Sequence, residues 1–253
     1  MVERAAELRM PALALTDHGS MFGAVQFYEK ASKAGLKPIV GMEAYVTRGR
    51  RQDRTRDAVH HLTLLARDEA GFRNLMRLSS LAYLEGFYYK PRVDRELLRR
   101  HASGLVALSG CANGELVRLI LDGRIADADA AASWYREVFE HYYIEIQRHP
   151  IAELERANPE LIAMSRRLDI PMVATFDVHY VAQEDAEAHD LLLCVQTNAS
   201  VSDEKRLKMA GDYFFLRSPE EVESLFGDLP EAVENSVRIA NQCDVELSFG
   251  GLH

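Results

Sequence analysis

Five short segments of this chain carry residue types that hold transition metals. They are Asp17-His18, Glu43, His60-His61, Cys111 and Asp177-Val178-His179. Imidazole, thiolate and carboxylate are the side chains that bind zinc and its neighbours in the first transition row. The spacing in Asp177-Val178-His179 matters, because residues two apart in an extended segment face the same side. Both side chains can then reach one metal centre. Taken singly, each segment has a plainer role. A histidine beside a strand is commonly a hydrogen-bonded core residue, Cys111 alone is a small buried hydrophobe, and Glu43 alone is a salt-bridged rim residue. Their recurrence at one edge of successive strands favours a metal site over a polar rim that satisfies strand ends.

The elements that must position these residues are short apolar strands alternating with helices. Strand-like runs are Ala12–Thr16, Lys37–Val40, Ala44–Val46, Leu62–Ala66, Leu105–Leu108, Tyr142–Ile146 and Met172–Ala174. Helical patterns lie near 22–34, closed by Gly35, and near 69–84, 94–100, 114–138 and 153–168. Alternation of this kind predicts βαβ units, a mainly parallel sheet, and a barrel or open α/β architecture. In such folds the C-terminal strand ends form the active face. Over the last fifty or so residues the character changes. Ser218-Pro219-Glu220-Glu221 reads as a helix start with a capping box, a second helix is predicted from Pro230 to Cys243, and Tyr213–Leu216 is the one further strand-like run.

Length and charge narrow the class. The 253 residues carry 30 Lys+Arg and 39 Asp+Glu, a formal net charge of −9, with 47% hydrophobic residues. This is the make-up of a globular protein with a sizeable core, not of a disordered chain. No apolar run approaches the roughly 20 residues a membrane span needs. Three cysteines are too few for a disulfide framework, which points to a reducing cytoplasm. The negative balance argues against a surface coated in nucleic acid but leaves room for a local basic groove.

The motifs also resemble a family. Thr16-Asp17-His18-Gly19-Ser20-Met21-Phe22-Gly23, followed by Lys37-Pro38-Ile39-Val40-Gly41-Met42-Glu43-Ala44-Tyr45-Val46, is similar to the polymerase and histidinol phosphatase (PHP) domain. The version at the N-terminus of bacterial DNA polymerase III alpha subunits is the nearest in kind. His61-Leu62-Thr63-Leu64-Leu65-Ala66, Leu108-Ser109-Gly110-Cys111, Ile144-Glu145-Ile146-Gln147 and Thr175-Phe176-Asp177-Val178-His179-Tyr180 continue the match in order. The resemblance implies a distorted (βα)7 barrel with divalent metals, zinc foremost and manganese or magnesium as alternatives, at the strand ends. Carried over position by position, the implied ligands are His18, Glu43, His61, Cys111, Asp177 and His179, with Asp17 orienting its neighbours. The resemblance further implies that one metal would take Glu43, His61 and Cys111.

The front of the chain departs from the family. The resemblance implies an opening strand with His-x-His and a segment ending in Asp-Gly, and nothing before Thr16 holds a histidine. The expectation is a barrel without its first strand and without three of the family's ligands. Residues 1–200 are read as the barrel body and 201–253 as a helical part leading toward an absent polymerase palm. The implied function is that of a PHP fragment of a DNA-directed DNA polymerase, a nucleotidyltransferase of DNA replication. Its module would be structural or a metal-dependent 3′–5′ exonuclease, with little activity in this fragment. The implied partners are DNA, a proofreading subunit and a sliding clamp. The alternative is a free-standing phosphoesterase of histidinol-phosphatase type. Arg48, Arg50, Arg51, Arg54 and Arg56 crowd one loop with Asp53 and Asp57. They are read as a solvated loop or as phosphate contacts near the metals. Glu145 and His149 are candidates to line the cleft, whereas His101, His141, His189 and His253 are read as structural or surface.

Overall fold

Period-two alternation along the strands decides what faces what in this fold. The structure is a computed structural model and describes residues 1–55 and 58–247. Arg56, Asp57 and His253, all named above, lie outside the described residues. The strands are β1 (Ala12–His18), β2 (Lys37–Thr47), β3 (Val59–Ala66), β4 (Phe87–Tyr88), β5 (Lys90–Val93), β6 (Leu105–Leu108), β7 (His141–Gln147) and β8 (Met172–Thr175). The helices are α1 (Val2–Glu7), α2 (Ala24–Lys33), α3 (Glu69–Leu84), α4 (Arg95–Arg100), α5 (Glu115–Leu121), α6 (Ile125–Val138), α7 (Ala152–Leu168), α8 (Ala186–Thr197), α9 (Pro219–Leu225) and α10 (Pro230–Gln242). The main sheet runs β2-β3-β6-β7-β8, with β1 and β5 both beside β2.

One face of each strand packs under helices and the other lines the hollow of a curled sheet. Met42, Ala44, Leu62, Leu64, Ala107, Ile144 and Ala174 point outward into the large core built with α3, α5, α6 and α7. Ile39, Leu65, Val106, Leu108, Tyr143 and Val173 point inward, where Ile239 and Cys243 from the region of α10 close over them. The sheet curls far enough that Leu13 and Leu15 of β1 and Val173 and Thr175 of β8 border one cleft of about 630 Å³. Among the described residues β1 pairs only with β2, and β8 only with β7. The architecture is therefore an α/β barrel left open between those two strands.

Several sequence expectations change in detail. Lys37–Val40 and Ala44–Val46 are one unbroken strand. Gly41 is no loop residue: a Cβ there would come within 2.5 Å of the Leu64 carbonyl of β3, so its bareness marks close strand packing. The helix expected over 114–138 is two, because Asp122-Gly123 ends α5 in a turn. The sheet is less parallel than expected, since β3 runs antiparallel to both β2 and β6. Sequence reading missed the β4–β5 hairpin and α8, and Tyr213–Leu216 makes only a bridge between Phe215 and Tyr180.

Arg51 is the clearest correction among the site residues. The sequence offers it as a phosphate contact, but its side chain is buried. Its guanidinium pairs with Glu85 at 2.6 Å, Asp94 at 3.1 Å and Glu96 at 2.9 Å. Asp94 in turn caps α4 by accepting the Leu97 N–H at 2.9 Å. Arg92 completes the joint by donating to the carbonyls of Arg51, Asp53 and Gly86. The arginine loop is thus fastened to the β4–β5 hairpin rather than loose in solvent. Removing Arg51 strands a buried carboxylate. Arg51→Ala is expected to cost about 3–5 kcal/mol, while exposed Arg54→Ala stays within about 0.5 kcal/mol. Urea denaturation of both variants checks this, and equal midpoints would refute it.

Candidate metal centre

The inward faces of the strands are apolar at one end of the hollow and polar at the other. The polar layer is built from His18 of β1, Glu43 of β2, His61 and Thr63 of β3, Glu145 of β7 and Thr175 of β8. Strand register sets their neighbours: Glu43 stands opposite both His18 and Thr63, and His61 stands opposite Tyr45. His61 opens its strand instead of closing it. Because β3 is reversed, its start lies at the same edge as the ends of β1 and β2. The adjacent His60 points to the opposite, outer face and is buried there.

Three donors converge. Glu43 Oε1 lies 2.8 Å from His61 Nδ1, and Cys111 Sγ lies 3.3 Å from the same nitrogen and 3.8 Å from the same oxygen. Among the described residues this is the one group of three such side chains whose donor atoms all lie within 4.8 Å of one another. Donors about 2.0–2.3 Å from a tetrahedral zinc sit roughly 3.3–3.8 Å apart; the two Cys111 spacings lie in that range, and the hydrogen-bonded Glu43–His61 pair would have to open by about 0.5 Å to admit a cation. The other carboxylate oxygen of Glu43 pairs with His18 Nδ1. Burial opposes ionisation of Glu43, but the hydrogen bonds from His18 and His61 outweigh it and hold its carboxyl down at about 2. Burial, reinforced by the charges of Glu43 and Asp177, pushes the Cys111 thiol up. Glu43 is thus favoured as the carboxylate and Cys111 as the thiol.

Cys111 reaches the group through a turn that only glycine makes without strain. Gly110 has φ 89°, in the left-handed region, and a Cβ there would come within 2.3 Å of the His61 carbonyl. The Gly110 N–H donates to Glu145 Oε2 at 3.0 Å. Glu145 also receives the Gln147 amide at 3.0 Å and the Thr63 hydroxyl at 3.3 Å. It lines the cleft as a brace for the Cys111 turn. In the sequence Glu145 carries one local hint of this role, Gln147 two residues on, whereas Thr63 and Thr175 reach it only through the fold.

The remaining sequence candidates gather alongside. The His18 and His179 rings are 5.8 Å apart, and Asp177 and His179 both border the cleft. Burial raises the Asp177 carboxyl against the pull of His179. His149 lies outside the cleft lining. It stacks on Phe214 and accepts the Asp177 N–H at Nε2, 3.0 Å away, so it holds the backbone of that segment. Asp17 accepts the Gly23 N–H at 2.8 Å and ties down the loop into α2. Arg48 lies 3.8 Å from buried Glu115. His189, on the unforeseen α8, has its ring 5.5 Å from that of His179.

Two outcomes follow from this geometry. Gly110→Ala is expected to displace Cys111, costing about 1–3 kcal/mol in stability and weakening cobalt uptake at the same time. Unchanged cobalt affinity by titration would contradict it. Glu43 ionises more readily in the folded chain than at its ordinary value of 4.5. Its pairing therefore stabilises the metal-free protein above about pH 4.5 and is lost as the pH falls toward 2. His61→Ala should flatten that acid limb in pH-dependent urea denaturation.

Comparison with known proteins places the chain in a family. Residues 1–149 match the PHP domain family. The DNA polymerase III subunit alpha of Borreliella burgdorferi is 45% identical over 257 residues, covering 99% of this chain and 22% of that protein. The same subunit of Treponema pallidum is 48% identical over 99% of this chain and 22% of its own length. That of Thermus aquaticus is 47% identical over 95% of this chain and 20% of its own. The chain thus spans about a fifth of the length of these relatives. A match over more than half its residues, on a sheet whose inner edge gathers Glu43, His61 and Cys111, means that this chain belongs to the PHP domain family.

Proposed function

We propose that this chain is the PHP module of a replicative DNA polymerase alpha subunit and that it holds one divalent metal ion. Convergence of Glu43, His61 and Cys111 is the observation that carries the metal reading. In this reading residues 1–200 are the barrel body, and 201–253 are its helical continuation toward the polymerase region. The whole enzyme would be a DNA-directed DNA polymerase acting in the cytoplasm, with DNA, a proofreading subunit and a sliding clamp as partners. Among the described residues no helix is long and apolar enough to cross a membrane.

When bound, a divalent cation supplies Lewis acidity toward a phosphoester and toward water. The residues divide the remaining work. Glu43 offers a charged oxygen already ionised at neutral pH. His61 offers a nitrogen held in place by the β2–β3 ladder. Cys111 offers a soft donor that favours zinc over manganese. His18 sits behind Glu43 and orients its carboxylate, in the manner of a supporting hydrogen-bond partner. Asp177 and His179 form the facing wall.

Elemental analysis of dialysed protein tests the metal reading. About one zinc per chain is expected at most, lost in Cys111→Ala and His61→Ala but largely kept in His18→Ala. Cobalt in its place should give a thiolate charge-transfer band that Cys111→Ala abolishes. No metal in the wild-type chain, or a cobalt spectrum indifferent to Cys111, would overturn it. Exonuclease chemistry of the multi-metal kind needs further metals at fixed spacing. The chain alone is therefore expected to digest a 3′ end poorly, and robust metal-dependent digestion abolished by His179→Ala would show otherwise.

A further inference from the structure

Beside the cleft lies a row of aromatic rings that the metal centre does not use. Phe22, four residues after His18, is 83% exposed, and Phe87 on the β4–β5 hairpin is 55% exposed. Tyr83 of α3 stands between them, its ring 6.1 Å from Phe22 and 5.9 Å from Phe87, the latter pair stacked at 20°. Large apolar side chains in mutual contact yet open to solvent mark a binding surface more often than chance. Their sequence separation shows that the fold assembled the row: the β1–α2 loop, the end of α3 and β4 each supply one ring.

The surroundings identify the occupant. Lys90 lies with its ammonium 4.1 Å above the Tyr45 ring, and Tyr45 stacks beside His18 at 6.4 Å. Arg50 and Arg54 are exposed on the loop that Arg92 ties to Gly86, the residue before Phe87. Among the described residues neither the Lys90 ammonium nor the guanidinium of Arg50 or Arg54 forms an ion pair within 4.0 Å, and Asp53 of the same loop accepts the Arg50 backbone N–H instead. In a chain of net charge −9, unpaired cations flanking exposed rings call for an anionic partner with flat faces. Single strands are bound in that way, with bases stacked on aromatic side chains and phosphates met by Lys and Arg.

We propose that Phe22, Tyr83 and Phe87 form a stacking shelf for the bases of single-stranded nucleic acid, with Lys90, Arg50 and Arg54 meeting its phosphates. The shelf leads past Lys90 and Tyr45 to His18, so a strand lying on it delivers its end to the cleft. Only this delivery step rests on the phosphoester reading of the metal centre; the shelf itself does not. It also gives the arginine loop a role that buried Arg51 cannot fill. Arg51 fixes the loop, and its exposed neighbours make the contacts.

Fluorescence anisotropy of the full chain with a short labelled oligodeoxythymidylate tests the proposal. The double variant Phe22→Ala/Phe87→Ala is expected to bind about tenfold more weakly or worse. Phe22→Tyr/Phe87→Tyr should keep near-wild-type affinity, and Arg54→Ala should lower the slope of log affinity against log salt by about 0.7. A 2-aminopurine in the strand should be quenched by wild type and not by the alanine variant. Cobalt uptake at Glu43, His61 and Cys111 should be equal in wild type and the alanine variant, which excludes misfolding as the cause. Absence of oligonucleotide binding by wild type, or equal binding by the double alanine variant, overturns the shelf. Self-association abolished by the same substitutions, with no effect on oligonucleotide, would assign the row to a protein interface and overturn it as well. Cys111→Ala separates the two readings: oligonucleotide binding kept with metal uptake lost leaves the shelf standing, whatever becomes of the metal chemistry.

Discussion

The reversal of β3 is the constraint on which the candidate site depends. In an all-parallel barrel every strand would end at the active edge and begin at the far one. Here β3 is antiparallel to β2 and β6, so the residues that open it meet the residues that close its neighbours. His61 reaches Glu43 and Cys111 only for that reason. The same ladder puts Tyr45 opposite His61 and Thr63 opposite Glu43, which supplies both a ring beside the imidazole and a hydroxyl for Glu145. A parallel β3 would send His61 to the bottom of the hollow, among Ile39, Val106 and the α10 residues.

Polarity along the strands shows how far this could be read from the chain. The inward residues of β2 pass from Ile39 to Glu43, those of β7 from Tyr143 to Glu145 and Gln147, and those of β8 from Val173 to Thr175. Each runs from apolar to polar. Along β3 the order is His61, Thr63, Leu65, from polar to apolar. That inversion is visible in the sequence and carries the direction of the strand. Expecting a parallel sheet from βαβ alternation passed over it, because alternation counts elements and says nothing of their polarity. The grouping of Glu43, His61 and Cys111 came from resemblance, and spacing alone gave only Asp177 and His179. No local pattern links three donors spread over almost seventy positions. The break between the runs Lys37–Val40 and Ala44–Val46 falls at Gly41, whose missing side chain admits β3 and does not end the strand.

The arginine loop shows the limit of reading charge by composition. Arg48, Arg50, Arg51 and Arg54 look equivalent in the sequence, yet their settings differ completely. Arg51 is buried among three carboxylates, Arg48 lies near Glu115, and Arg50 and Arg54 face solvent. What separates them is the presence of Glu85, Asp94 and Glu96 more than thirty residues away, which no window over the loop contains. A buried arginine is costly to desolvate, and the joint offsets that cost with buried Asp94 and the more exposed Glu85 and Glu96. The joint then sets the position of the β4–β5 hairpin and of the rings on it.

Closure of the hollow by α10 has a consequence for how the chain is made. The inner apolar cluster joins Ile39 to Ile239 and Cys243, and the Asn235 amide donates to the Met172 carbonyl at 2.7 Å. Two hundred residues must leave the ribosome between the first member of that cluster and the last. Until they do, Ile39, Leu65 and Val106 line a trough open to water, and the sheet holds its curl only through its outer layer of helices. Contacts of such long range are slow to form, and apolar surface exposed meanwhile invites association with other nascent chains. For much of its synthesis the inner cluster of this domain therefore stays open on the side that α10 later covers.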